Sequence, residues 1–193
     1  MKAWMQYGKS SYELGSYVME GVCVKDIAHS LSQINRYNGH SYKPLSVARH
    51  SMYVSHCLDL DPMAALYGLC HDVAETVTGD ISFPVKQYLR KHGSFAAIEQ
   101  IEEAAEAALF NILGIPYPMG DKYRALVKHA DWSAAGAEKR DLMLMCDRSW
   151  DMLAERPGHV TAYPTMTPAD DCAAWLGRYA DLALHLKLTP KGG

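Results

Sequence analysis

Four ionisable side chains lie close together between residues 70 and 80: His71, Asp72, Glu75 and Asp80. They follow and interrupt a run of apolar residues at three- and four-residue spacing, which is typical of a helix packed against other helices. On such a helix His71 and Asp72 lie about one turn before Glu75. Because burying several ionisable groups is costly without an opposite charge, the pattern predicts a bound metal ion.

The helix that carries this segment is expected to begin at Asp61-Pro62 and to end at Gly79. Asp is a favourable N-cap, Pro is tolerated at the first helical position, and Gly closes a last turn. A His-Asp pair at a helix end is more often a capping or surface feature than a metal site. The metal hypothesis therefore depends on partners elsewhere in the chain.

Two further candidate ligands lie on the inward faces of other predicted helices. Ser46 can cap a helix whose apolar stripe includes His50, although a buried histidine is often only a hydrogen-bonded core residue. Asp131 lies among small and apolar residues, so its carboxylate should face inward. It could instead bond a neighbouring helix or a basic residue of its own helix.

Together, His50, His71, Asp72 and Asp131 would supply two imidazoles and two carboxylates from three separate helices. Such a mixed set suits one divalent transition metal per site, without distinguishing Co, Mn, Zn, Fe or Ni. A divalent cation lowers the pKa of a coordinated water and neutralises charge on a phosphoryl oxygen. The ligand set therefore predicts hydrolysis of a phosphate ester.

Acid–base and phosphate-binding groups are also present. Glu75 is placed to act as general base on the attacking water, and Asp80 could assist proton transfer to the leaving oxygen. Phosphate needs cationic donors. The donors in segments that bear or flank the ligands are Arg36, His40, Lys86 and Lys128. Each alone would be an ordinary surface charge, but together they exceed what one monophosphate requires and favour a triphosphate.

The rest of the chain predicts an all-α fold. Residues 1–24 could form an extended or hairpin-like arm, and no sustained alternation of period two requires a sheet. Residues 146–163 are mixed and loop-rich. The acidic run Glu99, Glu102, Glu103 and Glu106 is expected to be a solvated helix face. Further helices are predicted from Asp26 to before Asn38, from Pro84 to about His92, from a Ser94 cap to about Leu113, from Asp121 to about Met145, and over about 167–186.

Composition predicts one globular domain over residues 1–193, with 49% hydrophobic residues. The net charge of −3 argues against a nucleic-acid polymer as partner. Five cysteines without a CxxC pair fit reduced thiols in a cytoplasmic compartment. Because no apolar run reaches transmembrane length, we expect no membrane partner.

These residues resemble a known family. The order His50, then His71-Asp72, then Asp131 is similar to the metal signature of the HD-domain phosphohydrolases. The pattern HDVAETVTGD at 71–80, followed by PVK at 84–86, more specifically resembles the branch of bacterial 5′-deoxynucleotidases and phage dATP triphosphohydrolases. The lead-in segments are most similar to the compact phage enzymes: DIAHSL at 26–31, NRYNGH at 35–40 and SVARHS at 46–51. The resemblance spans about residues 25–145.

The resemblance implies a compact HD-domain helical bundle with the metal site between core helices. In that branch the HD residues hold one divalent ion, and a glutamate and an aspartate, here Glu75 and Asp80, act on water and leaving group. An arginine before the first histidine, here Arg36, contacts phosphate. The next position, which the resemblance links to recognition of the sugar and base of the substrate, is Trp in the bacterial nucleotidases and Tyr37 here. The family assembles into dimers or hexamers, so a homo-oligomer is expected, in the host cytoplasm if the protein is phage-encoded.

Three functions remain open from the sequence. The favoured one is a deoxynucleoside triphosphate triphosphohydrolase that releases deoxynucleoside and triphosphate, with dATP implied by resemblance and a further Mg or Mn accompanying the triphosphate. The second is a 5′-deoxynucleotidase that removes phosphate from deoxynucleoside monophosphates. The third is a non-catalytic nucleotide-binding HD module. Hydrolysis of cyclic dinucleotides or alarmones shares the ligand set but has no support in the flanking motifs.

Overall fold

The computed structural model describes residues 3–148, 150 and 166–191. The chain begins with an antiparallel hairpin of β1 (Trp4–Tyr7) and β2 (Ser10–Glu13), with Trp4 opposite Glu13 and Tyr7 opposite Ser10. The hairpin packs on the helical core. The side chain of Tyr7 is buried, and its hydroxyl donates to Oγ1 of Thr76 at 2.8 Å. The N-terminal arm is thus a small sheet attached to an otherwise helical molecule.

The remaining elements are helices, which confirms the predicted all-α class. A short 3₁₀ helix at Arg36–Gly39, here called the 36–39 turn, follows the first helix. The α-helices are α1 (Val24–Gln33), α2 (Val47–His56), α3 (Pro62–Cys70), α4 (Glu75–Thr78), α5 (Phe83–Lys91), α6 (Ala96–Leu113), α7 (Asp121–Leu142) and α8 (Pro168–Leu186). The predicted loop-rich segment 146–163 lies largely outside the described residues.

Several predicted caps are confirmed. The Ser46 hydroxyl accepts from the amide of Arg49 and begins α2. The Asp61 carboxylate accepts from two amides of the first turn of α3, with Pro62 at the first helical position. The prediction that Ser94 caps the long helix is wrong. Helix α6 begins after Phe95, and the Ser94 hydroxyl donates to the carbonyl of His92.

The prediction of one continuous helix from Asp61 to Gly79 is also wrong. The chain leaves the α-helix at Cys70 and makes a turn before α4 begins. In this turn the Val73 amide donates to the Cys70 carbonyl, only three residues back. The carbonyl of Leu69 is instead bonded by the indole N–H of Trp175 in α8, at 3.1 Å. The break lies at the His-Asp pair itself.

The core is formed mainly by α1, α2, α3, α6, α7 and α8. Of these, α1, α2, α3, α7 and α8 pack on one another, while α6 packs on α4. Its fully buried side chains are mostly aliphatic and aromatic, and they include Ile27, Leu31, Leu66, Leu69 and Trp175. By contrast, none of the residues of α5 is buried. The described helices are all too short or too polar to cross a membrane.

Candidate metal centre

Three candidate ligands come together where α2 meets the turn after α3. His50, His71 and Asp72 can each offer one ligand atom, and these atoms lie within 4.8 Å of one another. Oδ2 of Asp72 is 3.1 Å from Nε2 of His71 and 3.7 Å from Nε2 of His50. The break after α3 therefore brings adjacent residues His71 and Asp72 to the same point.

The fourth candidate ligand, Asp131, reaches this point from α7. Its Oδ1 is 3.1 Å from Nε2 of His50 and 3.9 Å from Nε2 of His71. The structure therefore brings together all four residues predicted to bind the metal, from α2, the turn after α3, and α7. Their role as ligands remains a prediction.

The orientation of the two imidazoles fits a cation. Nδ1 of His71 donates to the carbonyl of Gly68 at 2.8 Å, and Nδ1 of His50 lies 2.6 Å from Oε1 of Glu138. Each Nε2 is buried and makes no aligned hydrogen bond with another described residue. Because buried polar atoms are nearly always partnered, two such nitrogens facing two carboxylates are the pattern that a bound metal would complete.

The same groups strongly perturb one another in the absence of a cation. Burial and the Arg36 guanidinium oppose a charge on His50, but Glu138 and Asp131 prevail and raise the pKa of its imidazole to about 10. Burial opposes ionisation of Asp72, but His71, His50 and Arg36 bring the pKa of its carboxyl well below the usual value. A metal at these imidazoles would therefore have to compete with protons.

Glu75 lies in the first turn of α4, beside the ligands, and is only 7% exposed. Its Oε2 is buried and has no hydrogen-bond partner among the described residues. Burial, together with the charges of Asp72 and Asp80, raises the pKa of Glu75 well above its ordinary value. The raised pKa makes this carboxylate a stronger proton acceptor than an ordinary glutamate, as a general base requires.

The predicted phosphate contact Arg36 is already engaged with carboxylates. Its Nε donates to Oε2 of Glu138 at 3.2 Å, and Nη1 is 3.6 Å from Oδ2 of Asp72. The hydroxyl of the neighbouring Tyr37 also donates to Oε2 of Glu138. The Arg36 and Tyr37 side chains of the 36–39 turn therefore both contact groups of the centre. The Arg36 guanidinium interacts with two carboxylates, those of Glu138 and Asp72.

The other three predicted substrate contacts differ in position. Lys86 is half-buried and its Nζ lies 3.2 Å from Oε1 of Glu102. Lys128 is exposed, with Nζ 5.1 Å from the centre of the Trp132 ring. His40 is exposed at the end of the 36–39 turn, and no described contact joins its side chain to the candidate ligands.

Two clefts of opposite character meet at His71 and Glu106. The first, here called the mixed cleft, has a volume of about 240 Å³ and is lined by His71, Glu106, Tyr117, Pro118, Met119, Arg124, Val127, Lys128 and Asp131. The second, the acidic cleft, has a volume of about 270 Å³ and is lined by His71, Asp72, Ala74, Glu75, Lys86, Glu99, Glu102, Glu103 and Glu106. The acidic run of α6 is therefore not simply a solvated face.

Sequence reasoning missed two residues of this region. Glu138 is fully buried and contacts both His50 and Arg36. It lies seven residues after Asp131, and this spacing places it on the same face of α7. Glu106 lines both clefts, and burial raises the pKa of its carboxyl. A carboxylate two turns beyond a candidate ligand was the available signal for Glu138.

Comparison with known proteins agrees with this geometry. Residues 33–148, more than half of the chain, match the profile of the YfbR-like 5′-deoxynucleotidase family. The chain is 30% identical over 166 residues to YfdR, an uncharacterised protein of Escherichia coli strain K12, and this covers 85% of the chain and 86% of the relative. It is 26% identical over 144 residues to an uncharacterised protein of Rhodobacter capsulatus, which covers 71% of each.

The matched region contains the 36–39 turn, the break after α3, and the faces of α2 and α7 that carry the four candidate ligands. The predicted HD-domain phosphohydrolase is thereby confirmed at the level of the family. The arrangement of two histidines and two aspartates in a helical bundle and the sequence match lead to one assignment: the chain belongs to the YfbR-like 5′-deoxynucleotidase family of metal-dependent HD-type phosphohydrolases.

Proposed function

We propose that the protein is a 5′-deoxynucleotidase, which hydrolyses a deoxynucleoside monophosphate to deoxynucleoside and phosphate. The observation that carries this proposal is the distribution of charge around the candidate metal centre. The acidic cleft holds five glutamates beside Asp72, and its one lysine, Lys86, is paired with Glu102. Such a cleft would repel additional phosphate groups, whereas a single phosphate could be held at the centre itself.

His50, His71, Asp72 and Asp131 would hold the divalent cation. When bound, the cation would supply an activated water and neutralise charge on the phosphoryl oxygen. The chain's own residues do the proton chemistry. Glu75 would accept the proton of the attacking water at Oε2, its buried oxygen without a described partner. Asp80, which follows Gly79 at the end of α4, would pass a proton to the departing 5′ oxygen.

The mixed cleft offers the surface that a nucleoside needs. Tyr117, Met119 and Val127 give it an apolar wall, on which a base can pack. Arg124 and Lys128 lie one turn apart on α7 and bring positive charge to the same cleft. In this arrangement the phosphate would be held beside His50, His71, Asp72 and Asp131, and the deoxynucleoside would extend toward the loop between α6 and α7.

Product analysis distinguishes the candidate reactions. Protein loaded with Mn or Co is incubated with a panel of deoxynucleoside monophosphates, deoxynucleoside triphosphates and ribonucleotides, and the products are separated by chromatography. The proposal expects deoxynucleoside and free phosphate from the monophosphates. Release of intact triphosphate from a deoxynucleoside triphosphate, with no turnover of monophosphates, would overturn it.

A triphosphohydrolase, with dATP as the substrate suggested by sequence resemblance, is the second candidate. Arg124 and Lys128 favour it, because they add two cations on the side of the centre away from the acidic cleft. A triphosphate bound there would bring its own Mg or Mn. Both reactions separate the 5′ oxygen from the adjoining phosphorus, so the same ligands would serve either one.

A non-catalytic nucleotide-binding module is the candidate from another class. It requires neither Glu75 nor Asp80, yet Glu75 lines the acidic cleft and the charge of Asp80 acts on Glu75. A Glu75→Gln variant separates the two classes, because an enzyme loses turnover while it retains metal binding. The same preparations can be examined by light scattering for the dimer or hexamer that we propose from family resemblance.

A further inference from the structure

One carboxylate connects the candidate metal centre to the turn that carries the predicted phosphate contact. Glu138 lies on α7 and is fully buried. Its Oε1 accepts from Nδ1 of His50 at 2.6 Å, while Oε2 accepts from Nε of Arg36 at 3.2 Å and from the Tyr37 hydroxyl. The two oxygens of this one side chain therefore divide between a metal ligand and the 36–39 turn.

The contact between Glu138 and His50 determines which nitrogen of that imidazole can bind a metal. A neutral imidazole carries one N–H, and donation from Nδ1 to a carboxylate leaves the lone pair on Nε2. Nε2 is the atom that lies 3.1 Å from Asp131 and faces the other ligands. A carboxylate behind a metal-binding histidine fixes the ring and makes it a stronger donor.

The contact between Glu138 and Arg36 orients the guanidinium but uses only some of its N–H donors. The guanidinium has five N–H donors, and the contacts with Glu138 and Asp72 involve Nε and Nη1. Because Nε and Nη1 of the guanidinium both lie beside carboxylates at the centre, the remaining donors can meet a phosphate bound there.

The 36–39 turn needs such support. Tyr37 and Asn38 have φ values of 57° and 51°, so two consecutive non-glycine residues adopt left-handed backbone conformations. This conformation is strained for the tyrosine, whereas asparagine adopts it more readily than other non-glycine residues. The Tyr37 hydroxyl, bonded to Glu138, ties this strained turn to α7.

We propose that Glu138 is a positioning residue that couples metal binding to phosphate recognition, by holding His50 and the 36–39 turn in one fixed relation. The identity of the phosphate-bearing substrate rests on the proposed function, whereas the contacts of Glu138 are those of the structure itself. A buried ion pair that served stability alone would lower the melting temperature when broken and leave ligand affinities in the folded protein unchanged.

The test uses Glu138→Gln, which keeps the side-chain size and removes the charge. Its matched control is Asp141→Asn, one turn further along α7, where the carboxylate pairs with the adjacent Arg140. For each folded variant, affinity for Co(II) is measured by its absorption spectrum, and affinity for inorganic phosphate is measured by calorimetry on the Co(II)-loaded protein. Steady-state kinetics with a deoxynucleoside monophosphate give kcat and KM.

We expect Glu138→Gln to weaken Co(II) binding about 10- to 100-fold. It should also weaken phosphate binding and raise KM, while Asp141→Asn leaves all of these values within about twofold of wild type. If Glu138→Gln lowers only the melting temperature and keeps both affinities, Glu138 is merely structural and the proposal is wrong.

A second variant keeps the test decisive if Glu138→Gln does not fold. Tyr37→Phe removes only the hydroxyl that ties the turn to Glu138. It should weaken phosphate binding and raise KM while Co(II) affinity stays near wild type. Unchanged phosphate binding and KM in this variant would overturn the coupling. If wild type binds Co(II) and phosphate but hydrolyses no monophosphate, the proposed function fails, whereas the Glu138 proposal is still decided by the two affinities.

Discussion

Asp171, in the first turn of α8, accepts a hydrogen bond at Oδ1 from Nε of Arg49, in the first turn of α2, at 2.6 Å. Its Oδ2 accepts from the hydroxyl of Ser46, also at 2.6 Å. Ser46 is the N-cap of α2 and Arg49 immediately precedes His50. The last helix of the chain therefore holds the end of the helix that supplies a candidate ligand.

Replacing Asp171 with alanine should destabilise the protein. The substitution would leave the largely buried Arg49 guanidinium without this carboxylate, and breaking a buried pair in this way costs about 3–5 kcal/mol. Urea denaturation of the metal-free protein measures the change. Asp181→Ala, at an exposed position of α8, is the control and should change stability by less than about 0.5 kcal/mol. Equal effects of the two substitutions would contradict the prediction.

Glu75→Gln should abolish turnover and stabilise the metal-free protein at the same time. Burial raises the pKa of Glu75, so the folded state binds a proton more tightly than the unfolded state. The stability from this proton is complete below the unfolded pKa of about 4.3 and is lost as pH rises through the higher folded value. The variant should therefore gain roughly 1–3 kcal/mol over wild type at pH 8, and much less at pH 4.

Urea denaturation of both proteins across this pH range measures the difference. A gain that is the same at pH 4 and pH 8 would contradict the assignment to the Glu75 carboxyl. Loss of stability at pH 8 would show that its buried oxygen has a partner in the folded protein.

Metal binding should stabilise the wild-type protein and release protons. A cation at 100 times its dissociation constant adds about 2.7 kcal/mol, or roughly 5–11 °C in melting temperature for a chain of this size. Because the raised pKa of His50 lets protons compete for its imidazole, metal affinity should increase as pH rises toward 10. Melting curves with Mn, Co and a chelator measure the first effect, and calorimetry in buffers of different ionisation enthalpy measures the second. His71→Asn should show neither effect.

Lys128→Gln should raise KM for a deoxynucleoside monophosphate with little change in kcat. Lys128 lines the mixed cleft, and the loss of one charged contact to bound substrate should cost roughly tenfold in affinity. Lys25→Gln, at an exposed position of α1, is the matched control. A kcat effect without a KM effect would place Lys128 in the chemical step instead.

Local signals in the sequence were sufficient to predict most of the helices and to identify the candidate ligands. The predicted caps at Ser46 and Asp61 each have a side chain that bonds the first turn, so they could be located one residue at a time. His50 and Asp131 could be predicted because each lies on an apolar face of its own helix.

Features that depend on distant parts of the chain could not be predicted in this way. The break after Cys70 leaves the Leu69 carbonyl to a tryptophan more than 100 residues away, so its stabilisation is not visible in the local pattern. Glu138 resembles any glutamate of a long helix until the 36–39 turn and α2 pack against it. The acidic cleft arises only when α6 lies beside Glu75, which turns a run of outward-facing glutamates into part of a wall.

The indole of Trp175 on the Leu69 carbonyl also has a consequence for the order of events during synthesis. The turn that presents His71 and Asp72 is held by Trp175, which the ribosome adds 106 positions after Leu69. The start of α2 is likewise held by Asp171, which is added 122 positions after Arg49. Contacts of such long range form late and slowly. A nascent chain synthesised only as far as α7 already contains all four candidate ligands. It lacks the contacts of Trp175 and Asp171 until α8 has emerged from the ribosome.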